Sequence, residues 1–200
     1  MTKKKSQRCP WCESSDLYRT YHDEEWGRPC FDARKLFEML NLEGAQAGLS
    51  WITILNKREN YRRLFADFDP VRIKRFSDAK LEKLLLDPGI VRHKGKIAAV
   101  RGNAIAYLEM EKHGESFSDY IWSYVGGKPV QNHYETMSQV PGKTAVSDSL
   151  SKDLKKRGFK FVGSTIAYAF MQAAGLVNDH LTHCPQHSVC AKAKLTRSKK

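Results

Sequence analysis

No run in the sequence approaches the ~20 apolar residues that a membrane span requires. The basic start, Met1-Thr2-Lys3-Lys4-Lys5, leads into polar residues rather than a secretory apolar segment. A soluble, cytoplasmic protein is expected. Cysteine is too sparse and too unevenly spaced for a disulfide scaffold, with five residues, an odd number, in 200. In a reducing compartment, clustered Cys and His point instead to metal. No stretch alternates apolar and polar residues for long enough to propose a sheet, and no repeat is visible.

Acid is absent from both ends. The net charge of +12 suggests an anionic partner, but residues 1–8 carry four basic residues and no acid, and residues 190–200 carry five and none. What remains is a body of about +3, so nucleic-acid binding has to be argued from local clusters. Hydrophobic content of 41% supports one domain. The expected boundaries are flexible basic tails at 1–8 and 190–200, and a single domain over 9–189. Within it, 9–30 and 176–189 form a lobe and 31–175 a helical body.

The apolar pattern is helical. Asp32 caps a helix carrying Leu36, Phe37 and Leu40. Ser50 caps another, with Ile54, Leu55, Tyr61, Leu64 and Phe65 as one stripe. Asp69-Pro70 and Ser77 start short helices, and a longer one runs from about Lys94 to Met110. Phe117 to Val125 is helical, and Lys128 to Lys143 reads as a long loop. Ser147 caps a helix ending at Gly158, and Ser164 opens one ending at Gly175. The N-terminal segment to Pro29 reads as irregular. The fold class is all-α, a helical bundle.

Within this pattern Leu42 to Trp51 stands out as a Gly-bearing turn between two helices, with one acid, Glu43, in an uncharged run beside Trp51. The rings of Trp11, Tyr18, Tyr21, Trp26 and Trp51, together with Glu43, suit a flat, electron-poor base: rings stack on its face while the carboxylate accepts its exocyclic hydrogens.

Two glycines frame a basic cluster in Lys155 to Ser164, immediately before a helix N-terminus, where Gly158, Lys160, Gly163 and Ser164 make a candidate phosphate site. Arg92 to Lys96 is a second cluster of similar kind. Potential metal ligands lie at the two ends: Cys9, Cys12 and His22 near the start, His180, His183, Cys184 and His187 near the finish. Zinc takes four N/S ligands, and His180 and Cys184 stand one helical turn apart. Cys9 with His22 and Cys9 with Cys12 are both acceptable as the other pair. Cys9-Pro10-Trp11-Cys12 also has the spacing of a redox dithiol, without the flanking βαβ pattern that motif needs.

Cys9 to Trp11, Tyr21 to Gly27, Leu42 to Gly44 with Gln46 to Trp51, Lys155 to Gly163 and Leu176 to His180, in this order, closely resemble the 3-methyladenine DNA glycosylase I family of bacterial alkylation-repair enzymes. The similarity runs from about Arg8 to Cys184. It implies a helix-hairpin-helix glycosylase bundle with a structural Zn2+ lobe built from both termini, its ligands Cys9, His22, His180 and Cys184. It also implies a base pocket of Glu43, Trp11, Tyr18, Tyr21 and Trp51, with Leu49 filling the gap near the lesion and Gly158 to Gly163 holding phosphate. The implied activity is monofunctional release of 3-methyladenine from double-stranded DNA after base flipping, by a monomer. The family lacks the usual catalytic aspartate of its superfamily, so Asp179 is read as structural, and no lysine is placed for strand-cleaving lyase chemistry.

On physical grounds N3-methylation already makes adenine a good leaving group, so the task is selection, and an anionic Glu43 would favour the cationic base. Two other readings are a zinc-stabilised DNA-binding module without catalysis and a dithiol oxidoreductase needing Cys12.

Overall fold

The computed structural model describes residues 8–195. The chain opens on a 3-10 turn, Pro10–Cys12, and α1 (Asp16–Glu24), whose N-cap Ser15 accepts from the Tyr18 N–H. The expected irregular segment is thus partly helical. Its signal is spacing: Tyr18, Tyr21 and His22 lie at i, i+3 and i+4 and share one face. α2 (Ala33–Gln46) starts at Asp32, whose carboxylate accepts from the Lys35 N–H, and runs through Leu42 to Gln46. The turn expected around Glu43 and Gly44 is therefore helix. The break falls at Ala47–Ser50, where Gly48 takes φ 78°.

α3 (Trp51–Leu55) and α4 (Arg58–Leu64) divide the single stripe expected there, and the Ser50 hydroxyl pairs with that of Thr53 instead of capping a backbone N–H. Asp69 and Ser77 cap α5 (Pro70–Lys74) and α6 (Asp78–Leu84) as expected. α7 (Lys94–Lys112) and α8 (Phe117–Ser123) follow. The 128–143 loop contains β1 (Val130–Gln131) and a 3-10 turn, Met137–Gln139. α9 (Ala145–Lys156) begins one turn before Ser147, because Thr144 is the N-cap and Ser147 completes a reciprocal capping box. α10 (Ser164–Ala173) leads to β2 (Val177–Asn178) and α11 (Pro185–Ala191).

The all-α reading holds in outline, and the small parallel β1–β2 bridge is too short for periodicity to reveal. A core that includes Phe37, Phe65, Phe117, Trp122 and Phe170 packs α2, α7, α8, α9 and α10 together. Among the described residues, no helix is long and apolar enough to cross a membrane. Most of the expected tails lies outside the described residues. Arg8 donates through Nε to both Asp23 oxygens, and Cys190 is buried.

The chain's return toward its start depends on Gly175. At φ 71° its added Cβ would fall 2.4 Å from the Arg28 carbonyl carbon. Gly175→Ala is expected to cost several kcal/mol, read as an unfolding midpoint lowered by about 10 °C.

Candidate base pocket and metal centre

The first four elements of the chain, with segments from its later part, converge on one cavity of about 180 Å³. The opening turn contributes Trp11, and α1 contributes Tyr18 and Tyr21. Helix α2 brings Glu43 and Gln46, and Trp51 stands at the first position of α3. Trp26, Met137, Val140, Ala169, Gln172 and Asp179 complete the lining. The volume lies below the ~300–1,000 Å³ of drug-sized sites, on the scale of a fragment such as one base. A larger cleft of about 320 Å³ lies on the other side of Tyr21 and Trp51. Two ion pairs, Arg58 with Glu25 and Arg62 with Glu38, lie along it.

The rings form a continuous wall. Trp11 stands 4.9 Å from Tyr18 and 5.0 Å from Trp26, centroid to centroid, and Tyr21 is 5.5 Å from Trp51. Glu43 is 4% exposed, and among the described residues no hydrogen bond reaches its carboxyl group. Burial pushes its pKa up to about 8. Burial thus favours the neutral carboxyl in the free pocket. Burial also pushes Tyr18 up to about 12 and Tyr21 well above 10, with Glu43 adding to both.

Sequence reasoning named Glu43 and five rings, Trp11, Tyr18, Tyr21, Trp26 and Trp51, and all six residues line this cavity. It missed Gln46, which the i, i+3 spacing from Glu43 on one helix reveals, and Met137 and Val140, whose loop carries no such signal. Asp179 is buried at the cavity edge, accepting from Tyr168 at 2.6 Å, Asn132 at 2.7 Å and Gln172 at 2.8 Å.

Behind the rings the chain ends meet. Cys9, His22, His180 and Cys184 are all buried, with one donor atom of each within 4.8 Å of the others. Cys9 Sγ and Cys184 Sγ lie 3.7 and 3.8 Å from His180 Nδ1, and Cys184 Sγ lies 3.7 Å from His22 Nε2. Bonds of about 2.3 Å to sulfur and 2.05 Å to nitrogen at a tetrahedral angle give an S···N separation of about 3.6 Å, so the donor set fits a metal of that geometry. The far nitrogens are also held: Asp23 faces His22 Nδ1 at 2.7 Å, and the Trp26 carbonyl faces His180 Nε2 at 3.1 Å.

Cys12, His183 and His187 stand outside the cluster. Cys12 donates to the Cys9 carbonyl, His187 Nε2 faces the Asn132 carbonyl, and His183 is exposed. Burial pushes the Cys12 thiol up to about 11, opposite to what a redox dithiol needs.

The remaining candidates gather around the end of α2. Leu49 is 42% exposed on the turn leaving that helix. In the α9–α10 connection, Gly158 has φ 94°, Phe159 and Val162 are buried, Lys160 is exposed, and Gly163 is the N-cap residue before Ser164.

The family model for methyladenine glycosylases matches residues 11–187. The chain belongs to the methyladenine glycosylase family. It is 57% identical to DNA-3-methyladenine glycosylase 1 of Escherichia coli strain K12 over 178 residues, 89% of this chain and 95% of that one. It is 54% identical to the DNA-3-methyladenine glycosylase of Haemophilus influenzae, covering 89% and 96%. Among solved members of the family, a crystal structure of 3-methyladenine DNA glycosylase I superimposes with a TM-score of 0.88 at 57% identity, covering 89% of this chain and 98% of that one. A variant of such an enzyme in complex with 3-methyladenine superimposes with a TM-score of 0.88 at 40% identity, covering 91% and 98%.

Proposed function

We propose that this chain is a monofunctional DNA-3-methyladenine glycosylase of base-excision repair. It acts as a monomer on alkylated double-stranded DNA in the cytoplasm and leaves an abasic site. The observation that carries this reading is the buried Glu43 carboxyl, without a hydrogen bond among the described residues, in a cavity walled by Trp11, Tyr18, Tyr21 and Trp51.

A neutral base entering that cavity meets a carboxyl that burial keeps protonated. A cationic N3-methylated base lowers the cost of ionising it, so capture is coupled to proton loss from Glu43 and forms a charge-assisted contact. The rings stack on the base and its positive charge. As the glycosidic bond lengthens, the base leaves neutral, charge passes to the sugar, and water completes the hydrolysis. Among the described residues no lysine lines the cavity, and the buried Lys96 amine is held by the Ala45 and Ala47 carbonyls, which supports hydrolysis without lyase chemistry.

Cys9, His22, His180 and Cys184 would hold a structural Zn2+, whose role is to cross-link the chain ends. Leu49, on the exposed turn, would fill the gap left by the flipped base. Gly158, Lys160, Gly163 and Ser164 would grip phosphate in a helix-hairpin-helix manner.

Purified protein is expected to release 3-methyladenine from methylated DNA. Binding without release would instead establish the non-catalytic module. Lys160→Ala is expected to weaken DNA binding uniformly across sequences and reduce its salt slope by about one. An unchanged slope would remove Lys160 from the contact.

A further inference from the structure

Helix α7 sends two buried polar side chains toward α2. Lys96 and Asn103 lie seven residues apart, about two helical turns, and so share a face. Lys96 Nζ donates to the Ala45 carbonyl at 2.9 Å and to that of Ala47, at the end of α2. Asn103, 1% exposed, donates through Nδ2 to Asn41 Oδ1 at 2.9 Å and to the Lys160 carbonyl at 3.2 Å, while its Oδ1 accepts the Lys160 N–H at 2.8 Å. Asn41 in turn donates to the Phe37 carbonyl at 2.8 Å, which fixes its amide. One side chain therefore ties both backbone groups of Lys160 to a residue two positions before Glu43.

A steric contact reinforces the junction. Phe161 takes φ 55° and presses on Gly44, where an added Cβ would lie 3.0 Å from the Phe161 carbonyl oxygen. The space left among these groups is about 10 Å³, at the lower limit for one water, so the bonds are direct and the junction is stiff.

We propose that Asn103 is a positioning residue for base excision: it fixes the separation between the phosphate grip of the α9–α10 connection and the pocket that receives the flipped base. The proposal rests on reading that connection as a DNA contact. A flipped nucleotide is held at two points at once, by its backbone and by its base, and these must match one fixed distance. A slack junction lets both points bind while the glycosidic bond sits away from its reactive geometry, a misplacement that costs about 10²-fold in rate.

The test uses the full chain and two substitutions. Asn103→Ala removes the link, and Gly44→Ala pushes the connection away while leaving Asn103 in place. In both, the single-turnover rate of base release from methylated duplex is expected to fall about 10²-fold. Affinity for free 3-methyladenine, read by tryptophan fluorescence, and affinity for undamaged duplex are expected to stay within about twofold, since each uses only one of the two points. A wild-type rate in both variants, or a rate loss matched by an equal loss of free-base affinity, overturns the proposal, the latter marking Asn103 as structural support only. If Asn103→Ala fails to fold, Gly44→Ala decides by the same criteria. Lys160→Ala separates the two readings. Unchanged DNA affinity and salt slope there remove the DNA contact itself, whereas normal weakening there beside a wild-type rate in Asn103→Ala removes only the coupling.

Discussion

Glu43→Gln is expected to reduce base release from methylated DNA by about 10²–10³-fold while making the free enzyme more stable at high pH. The first effect follows from losing the one ionisable group that turns a cationic base into a preferred ligand, comparable to losing one preorganised transition-state contact. The second follows from burial. With the Glu43 pKa moved from 4.5 to about 8, the folded state keeps a proton that the unfolded chain gives up. Stability therefore falls as pH rises from about 4.5 to 8 and levels off above that. Each pKa unit corresponds to about 1.4 kcal/mol, so the wild type forgoes several kcal/mol at pH 9 that glutamine, neutral and of the same shape, retains. Urea unfolding at pH 5 and pH 9 reads the difference. Parallel loss in both proteins would place the titration elsewhere, and unaltered base release would sink this account of the pocket.

Cys184→Ala, or removal of metal by a chelator, is expected to lower the unfolding midpoint by about 10 °C or more and to abolish base release. Metal binding and folding of such a lobe are one equilibrium, and losing a ligand leaves buried donors without a partner. The pocket fails with it, because Trp11 meets His22 edge to face at 5.2 Å and Trp26 meets His180 edge to face at 4.6 Å, so two of the pocket rings rest directly on the proposed ligands. Cys12→Ser is expected to leave both properties intact. Metal analysis of the purified protein finding no zinc, with the Cys184→Ala midpoint unchanged, would contradict the cross-link.

Most helices were legible in the sequence because caps and apolar stripes agree, as at Asp32, Asp69 and Ser77. Errors cluster where tertiary contact overrides local preference. Gly44 looks like a turn residue but sits inside α2, where Phe161 leaves no room for a side chain. Ser147 looks like a cap but is the third residue of the helix, closing a box that Thr144 begins. Glu43 and the rings stood out in the sequence because an isolated acid beside so many rings is unusual for a helical chain, and they line one cavity. Gln46 was hidden by the misplaced turn, and Met137 and Val140 by a loop without periodicity. The charge state of Glu43 was out of reach, since burial at 4% exposure is a property of the assembled fold.

The meeting of Cys9 with His180, 171 positions apart, also orders events during synthesis. Trp11, Tyr18 and Tyr21 emerge from the ribosome early, yet the segment that clasps them emerges almost last. At about 5–20 residues per second, the nascent chain spends on the order of ten seconds without a finished pocket. A polypeptide arrested before His180 carries Glu43 and every ring, but lacks the His180 and Cys184 side chains that meet Cys9 and His22 behind them.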